Sequence, residues 1–223
     1  NDPITLWIAP PSAGPLANRL WKAVSGQSTS SPPRYLPLAT DLTDESDRFD
    51  GVREQLRAAV GESRSIVQLI LPVFVSDSPA GGANHQAAAI PLPSLFRYVR
   101  LLLALAKCCG ELSTIQWRLL ITGCHETLGT LDLLMGPLGA LAAVISQEYP
   151  GIDYRLLLCE GLCQPTRGKS EIKSPPNLDQ WAHWIWREVS EELRTGEWIA
   201  YRQGQRCRLD YAVAADIPTL AAT

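Results

Sequence analysis

Among the 223 residues there is no run of lysine or arginine, and the formal net charge is -3. A weakly acidic chain without a basic stripe has no electrostatic footprint for nucleic acid and is not steered to anionic lipid, so neither is expected as a partner. Long apolar runs are missing as well. The stretch from Leu6 to Pro11 is short and lacks a basic lead-in, which does not read as a signal peptide. Later apolar runs are broken by Arg, Gln or Pro before they reach spanning length, which argues against a transmembrane helix and for a cytoplasmic protein. None of the six cysteines (Cys108, Cys109, Cys124, Cys159, Cys163, Cys207) forms a C-x-x-C pair, so they are expected to be reduced, mostly buried thiols and no metal site is expected. No internal repeat is visible.

The signatures of nucleotide chemistry are also absent. A dinucleotide-binding sheet needs a glycine-rich turn after its first strand, because the diphosphate must approach backbone N–H groups at a helix start. Here the first apolar strand runs into Pro10-Pro11-Ser12-Ala13-Gly14-Pro15, and prolines carry no N–H. No G-x-x-x-x-G-K-[ST] occurs. A carbonyl reductase of the short-chain type needs a tyrosine with a Lys or Asn placed to lower its pKa, yet Tyr35, Tyr98, Tyr149, Tyr154, Tyr201 and Tyr211 all lack one four residues on. The expectation is therefore no catalytic residue and no cofactor-binding residue in this chain.

What remains is the pattern of an ordinary globular domain, 46% apolar and 19% charged. At this length one domain over 1–223 buries about 70% of its unfolded surface. Ile4-Thr5-Leu6-Trp7-Ile8 reads as a strand, about Pro15 to Val24 as a helix, and Tyr35 to Leu38 as a weak edge strand, since Pro37 cannot donate to a ladder. Phe49, Val52, Leu56, Ala59 and Val60 recur at helical spacing ahead of a central strand, Ser65 to Leu71. Ser76 to Ala89 is a loop. A long amphipathic helix follows from Pro91 to about Cys108, stopped by Gly110. Trp117 to Thr122 and Asp153 to Cys159 read as strands around a small-residue helix, Leu138 to Tyr149. Asn177 and Gln180 form a capping box for a helix that buries Trp181, Trp184, Ile185, Val189 and Leu193. Trp198 to Arg202 and Arg206 to Tyr211 flank a Gln203-Gly204-Gln205 turn, a hairpin. Alternation of strand and helix calls for an α/β fold, a truncated Rossmann-like, doubly wound parallel sheet with helices on both faces.

Few residues invite chemistry. Cys124-His125-Glu126 follows a strand, where α/β folds place nucleophiles, and Cys124 is the candidate nucleophile of a stand-alone enzyme. Adjacent residues on an extended chain point to opposite sides, which works against a Cys124–His125 pair. His85 reads as a loop residue and His183 as structural or solvated. Glu188, Glu191 and Glu192 with Arg187 and Arg194 read as the solvated face of a helix, and Trp181, Trp184 and Trp186 as core or interface.

Two stretches resemble the structural subdomain of polyketide synthase ketoreductases. Gly136-Pro137-Leu138-Gly139-Ala140 through Glu148-Tyr149-Pro150 is similar to the family's Gly-Leu-Gly-Arg helix ending in Glu-His-Pro, with Ala140 in place of Arg and Tyr149 in place of His. Glu197-Trp198-Ile199-Ala200-Tyr201-Arg202-Gln203-Gly204-Gln205-Arg206-Cys207-Arg208-Leu209 resembles the segment that ends that subdomain. The resemblance implies a non-catalytic scaffold, or a pseudo-ketoreductase half. It would brace a separate NADPH-dependent catalytic subdomain that reduces the β-keto group of an acyl-carrier-protein-bound intermediate. The implied partners are that subdomain and the other domains of the module, with the carrier protein an indirect one. A generic α/β binding module is the remaining alternative.

Overall fold

The computed structural model describes residues 3–9, 14–27, 32–37, 48–60, 66–74, 92–112, 114–125, 128–160, 178–191, 194–202 and 204–209. In chain order the elements are β1 (Ile4–Ala9), α1 (Gly14–Gln27), β2 (Arg34–Pro37), α2 (Arg48–Val60), β3 (Ile66–Phe74), α3 (Leu92–Glu111), β4 (Gln116–His125), α4 (Leu128–Glu148), β5 (Ile152–Glu160), α5 (Leu178–Ser190), β6 (Glu197–Arg202) and β7 (Gln205–Arg208). The strands form one sheet in the order β2-β1-β3-β4-β5-β6-β7. β2 through β6 lie parallel in this order, and β7 closes the sheet antiparallel to β6. This is the mostly parallel, Rossmann-like α/β fold that the alternation of elements calls for.

Strand periodicity divides the core into two layers. Leu6 and Ile8 of β1, with Leu156 and Leu158 of β5, pack with α2, α3 and α4, while Trp7, Leu157 and Cys159 pack on the other face with α1 and α5. Successive side chains on a strand face opposite sides, so apolar residues at every position are what a sheet covered on both faces requires. β2 lies at the sheet edge, as Pro37 demands. Pro72 lies within β3 but beyond the last pair that β3 makes with β1, Trp7 with Ile70, so its missing N–H costs no bond there.

Several boundaries differ from expectation for identifiable reasons. α4 opens ten residues ahead of Leu138 and runs through Pro137. An interior proline costs about 3 kcal/mol, but Met135 and Leu138 on either side are fully buried and hold the segment against the sheet. α3 runs past Gly110 to Glu111, and Gly110 is required for a different reason: a Cβ there would lie 2.5 Å from the Tyr149 ring. The β6–β7 turn does use its glycine conformationally, since Gly204 has φ 81°. The expected capping residue Asn177, the Ser76–Ala89 loop and Leu193 lie outside the described residues.

Candidate functional site

After β1 the chain moves outward to β2 and then returns to place β3 on the other side of β1. This reversal is the topological switch point of an open α/β sheet, where a crevice opens beyond the C-terminal ends of the two strands. β1 ends at Ala9 and α1 begins at Gly14, so a helix N-terminus follows the strand after a short connection. Pro10 and Pro11 fall in that connection, outside the described residues. The first turn of α1 carries no acidic residue. α1 is held over the sheet by buried Ala17, Leu20 and Val24. Trp21 anchors it to β2: its Nε1 donates to the Pro33 carbonyl at 3.0 Å, and its ring lies 5.1 Å from that of Tyr35.

Cys124 and His125 close β4, backbone to backbone with Cys159 and Glu160 of β5. Both therefore reach the C-terminal edge of the sheet, next along from β3. Their side chains, and all of His85, are outside the described residues. His183 is exposed on α5. Trp181 and Trp184 are buried, Trp186 is half-buried, and Trp184 stacks on Tyr201 with ring centroids 4.7 Å apart, so these indoles serve the core. Tyr154, on the third residue of β5, has its hydroxyl pushed above the usual tyrosine range by burial. Burial raises the Cys108 thiol to about 11 and lifts Cys109 well above its ordinary value. Neither is poised as a nucleophile at neutral pH.

A second polar cluster was not legible as such in the sequence. Glu188 does not lie on the solvated face of α5 but is fully buried, together with Arg155 of β5. The signal was present: Glu188 falls four residues after Trp184 and three after Ile185, in the same stripe as the apolar residues. Arg155 donates through Nη1 to Glu188 Oε2 at 2.9 Å and through Nη2 to Glu197 Oε2 at 2.8 Å. Tyr201 donates its hydroxyl proton to Glu188 Oε1 at 2.9 Å, and Arg206 reaches the same oxygen through Nε at 2.6 Å. Burial opposes ionisation of Glu188, yet the hydrogen bonds from Arg206 and Tyr201 and the charges of Arg206 and Arg155 outweigh it and hold its pKa below the usual value. In turn, burial and the Glu188 carboxylate push the Tyr201 hydroxyl far up.

No protein-family model and no curated protein matches the sequence. Solved structures do match. A short-chain dehydrogenase from Mycobacterium avium superposes with a TM-score of 0.53 at 11% identity, covering 98% of this chain and 89% of that one. An alcohol dehydrogenase from the archaeon Thermococcus sibiricus, complexed with 5-hydroxy-NADP, gives 0.51 at 11% identity, covering 93% of this chain and 100% of that one. A short-chain dehydrogenase from Streptomyces avermitilis gives 0.50 at 13%, covering 90% and 88%. The fold is that of the short-chain dehydrogenases.

These matches correct two expectations. The chain was expected to be a non-enzyme, half of a reductase bracing the half that works, and to hold no cofactor of its own. Instead it spans nearly the full length of whole dehydrogenases, one of them complexed with an NADP derivative. Pro10 and Pro11 precede the helix start and take no donor from it. α1 opens beyond them, so the amides of Gly14, Leu16 and Ala17 remain at the helix start, and Pro15 sits where a missing N–H is best tolerated.

Proposed function

We propose that this chain is an oxidoreductase that takes NADP(H) in the crevice beyond β1 and β3 and interconverts a carbonyl group and an alcohol. The observation that carries this is the strand-to-helix passage at the switch point, Ala9 to Gly14, with no acid in the first turn of α1. The residues present suit a diphosphate: the backbone amides at a helix start and the positive end of the helix dipole favour an anion there. β2 supplies no carboxylate over Arg34–Pro37 that would repel a 2′-phosphate. When bound, the nicotinamide supplies or accepts hydride. The chain's own part is to orient it, with α1 fixed by Trp21 and the tips of β3 and β4 flanking the reacting end.

The setting we propose is the ketoreductase region of a polyketide synthase, with a β-keto thioester on an acyl carrier protein as substrate and the other domains of the module as partners. What supports this is the resemblance over Gly136–Pro150 and Glu197–Leu209. Exposed Phe96 and Leu103 on α3 and Val144 on α4 offer surface for packing against such domains. Among the described residues no helix is long and apolar enough to cross a membrane.

Calorimetric titration of the protein with NADPH tests the first part. Micromolar binding is expected, and Gly14→Asp should weaken it by about tenfold, some 1.4 kcal/mol, because a carboxylate at the helix start competes with the diphosphate. Thermal stability should hold, since Asp is favoured at that place. Failure of the wild-type protein to bind NADPH would overturn the proposal. For the second part, oxidation of NADPH on adding a β-ketoacyl thioester is the expected result, and turnover of simple ketones with thioesters ignored would count against the synthase setting.

A further inference from the structure

Thr5 is the single polar side chain of β1 and Gln68 the single polar side chain of β3. Both are buried, and they are partners in register across the two strands. Trp7 and Ile70, two residues further along each strand, pack with α1 and α5, so Thr5 and Gln68 lie on the face that those helices cover. The Thr5 hydroxyl donates to Gln68 Oε1 at 2.9 Å, and Gln68 Nε2 donates to the Val189 carbonyl in the last turn of α5 at 3.0 Å. The order of these groups is forced: a backbone carbonyl only accepts, so the amide nitrogen must face α5 and the amide oxygen must face Thr5. We propose that Gln68 is a positioning residue that pins the axial register of α5 on the sheet, with Thr5 holding its amide the right way round.

The end of the helix supplies the first argument. The last carbonyls of an α-helix have no partner within it. In α5 the Arg187 carbonyl accepts from the Glu191 amide at 3.0 Å, but those of Glu188 and Val189 accept from side chains of the sheet, Arg155 Nη1 at 3.1 Å and Gln68 Nε2 at 3.0 Å. The helix is thus closed by β3 and β5. Advancing it by one residue would move each carbonyl by about 1.5 Å and turn it by about 100°, which breaks both bonds together. Packing supplies the second argument. Trp181, Trp184, Ile185 and Val189 share one apolar layer with Leu157 and Ile199. Apolar contact is non-directional and tolerates small shifts, whereas a buried amide satisfied in one arrangement penalises every other. α1 lies in the same layer, so the pin also sets the frame on which the helix start at Gly14 rests. That consequence depends on the proposed NADP(H) function, and the pin itself does not.

Amide hydrogen exchange on the whole chain tests this, comparing the wild type with Gln68→Met, which keeps the side-chain length and removes both polar atoms. The α5 amides are expected to lose protection by about tenfold, the loss of one buried hydrogen bond, while those of β4 keep theirs. Thr5→Val leaves Gln68 in place without its orienting donor and should loosen the same amides by a smaller factor. It decides the matter if Gln68→Met does not fold. The proposal is overturned if the α5 amides exchange as in the wild type, or if α5 and β4 lose protection equally, which would mark a loss of global stability with no part in register. Weaker NADPH binding by Gln68→Met is the expected sign that the pin reaches α1, and unchanged binding would overturn that reach. A wild-type protein that binds no NADPH would overturn the proposed function and leave the exchange result to decide the pin.

Discussion

Glu188→Ala is expected to lower folding stability by about 3–5 kcal/mol, seen as a fall in the urea midpoint. The loss comes from what stays behind and not from the attraction itself. Arg155, only 1% exposed, would keep Glu197 and the backbone carbonyl of residue 188 but lose the carboxylate that offsets its charge on α5, and the Tyr201 hydroxyl would lose its acceptor. Removing one member of a buried pair leaves the other charge uncompensated, and an unmatched polar group adds its own desolvation cost. Glu188→Gln keeps the shape and one acceptor oxygen and should cost less. It also separates charge from packing through pH. The folded-state pKa of Glu188 lies below its ordinary value of 4.5, so its ionised form stabilises the fold. That contribution is complete above the unfolded value, at neutral pH, and is lost as the pH falls through the folded value. Wild-type stability should therefore decline on acidification below about 4.5 more steeply than that of Glu188→Gln. Parallel slopes would remove Glu188 from the acid response.

Gly139→Val should be as damaging by an opposite route, overfilling the core instead of emptying it. Gly139 is buried where α4 crosses the sheet, and a Cβ there would run into the Trp198 indole and come within 2.8 Å of a Leu156 methyl. Neither neighbour yields easily, because Leu156 is fully buried and Trp198 packs against the same core. Overpacking costs about 1–3 kcal/mol, so Gly139→Ala belongs in that range even though alanine is the better helix former by about 1 kcal/mol. Valine, with two further methyls, should reach or pass the upper limit. Gly136, one turn earlier on the same helix, has nothing within 4 Å of the corresponding position. Gly136→Ala should leave stability unchanged or raise it by up to about 1 kcal/mol. A chemical-denaturation series over the three variants checks the contrast, and equal effects at 136 and 139 would show that helix propensity, not the Trp198 contact, sets the cost.

Strand periodicity and glycine turns carried most of the architecture. The apolar run of β3, the amphipathic stripe of α3, the edge place of β2 and the β6–β7 hairpin all follow from patterns local to a few residues. α4 was half-legible because Pro137 reads as a stop, and only burial of Met135 and Leu138 against a sheet assembled from distant segments overrides it. The Glu188 network was hidden for a related cause. A glutamate among Arg187, Glu191 and Arg194 looks solvated until the three-dimensional neighbours Arg155, Tyr201 and Arg206, distant in sequence, are set around it. The candidate crevice is hidden by register: Pro10 and Pro11 read as the cofactor turn itself, whereas the helix start that offers amides begins at Gly14.

The two rims of the sheet differ from its middle in a way that reaches beyond folding. β2 is four residues long and ends on a proline, and β7, equally short, carries Arg206 and Arg208. Such margins offer a neighbouring molecule little ladder to extend and repel a second copy laid alongside. Short, proline-ended or charged edges of this kind work against the edge-to-edge pairing that strands rich in leucine, isoleucine and valine would otherwise invite.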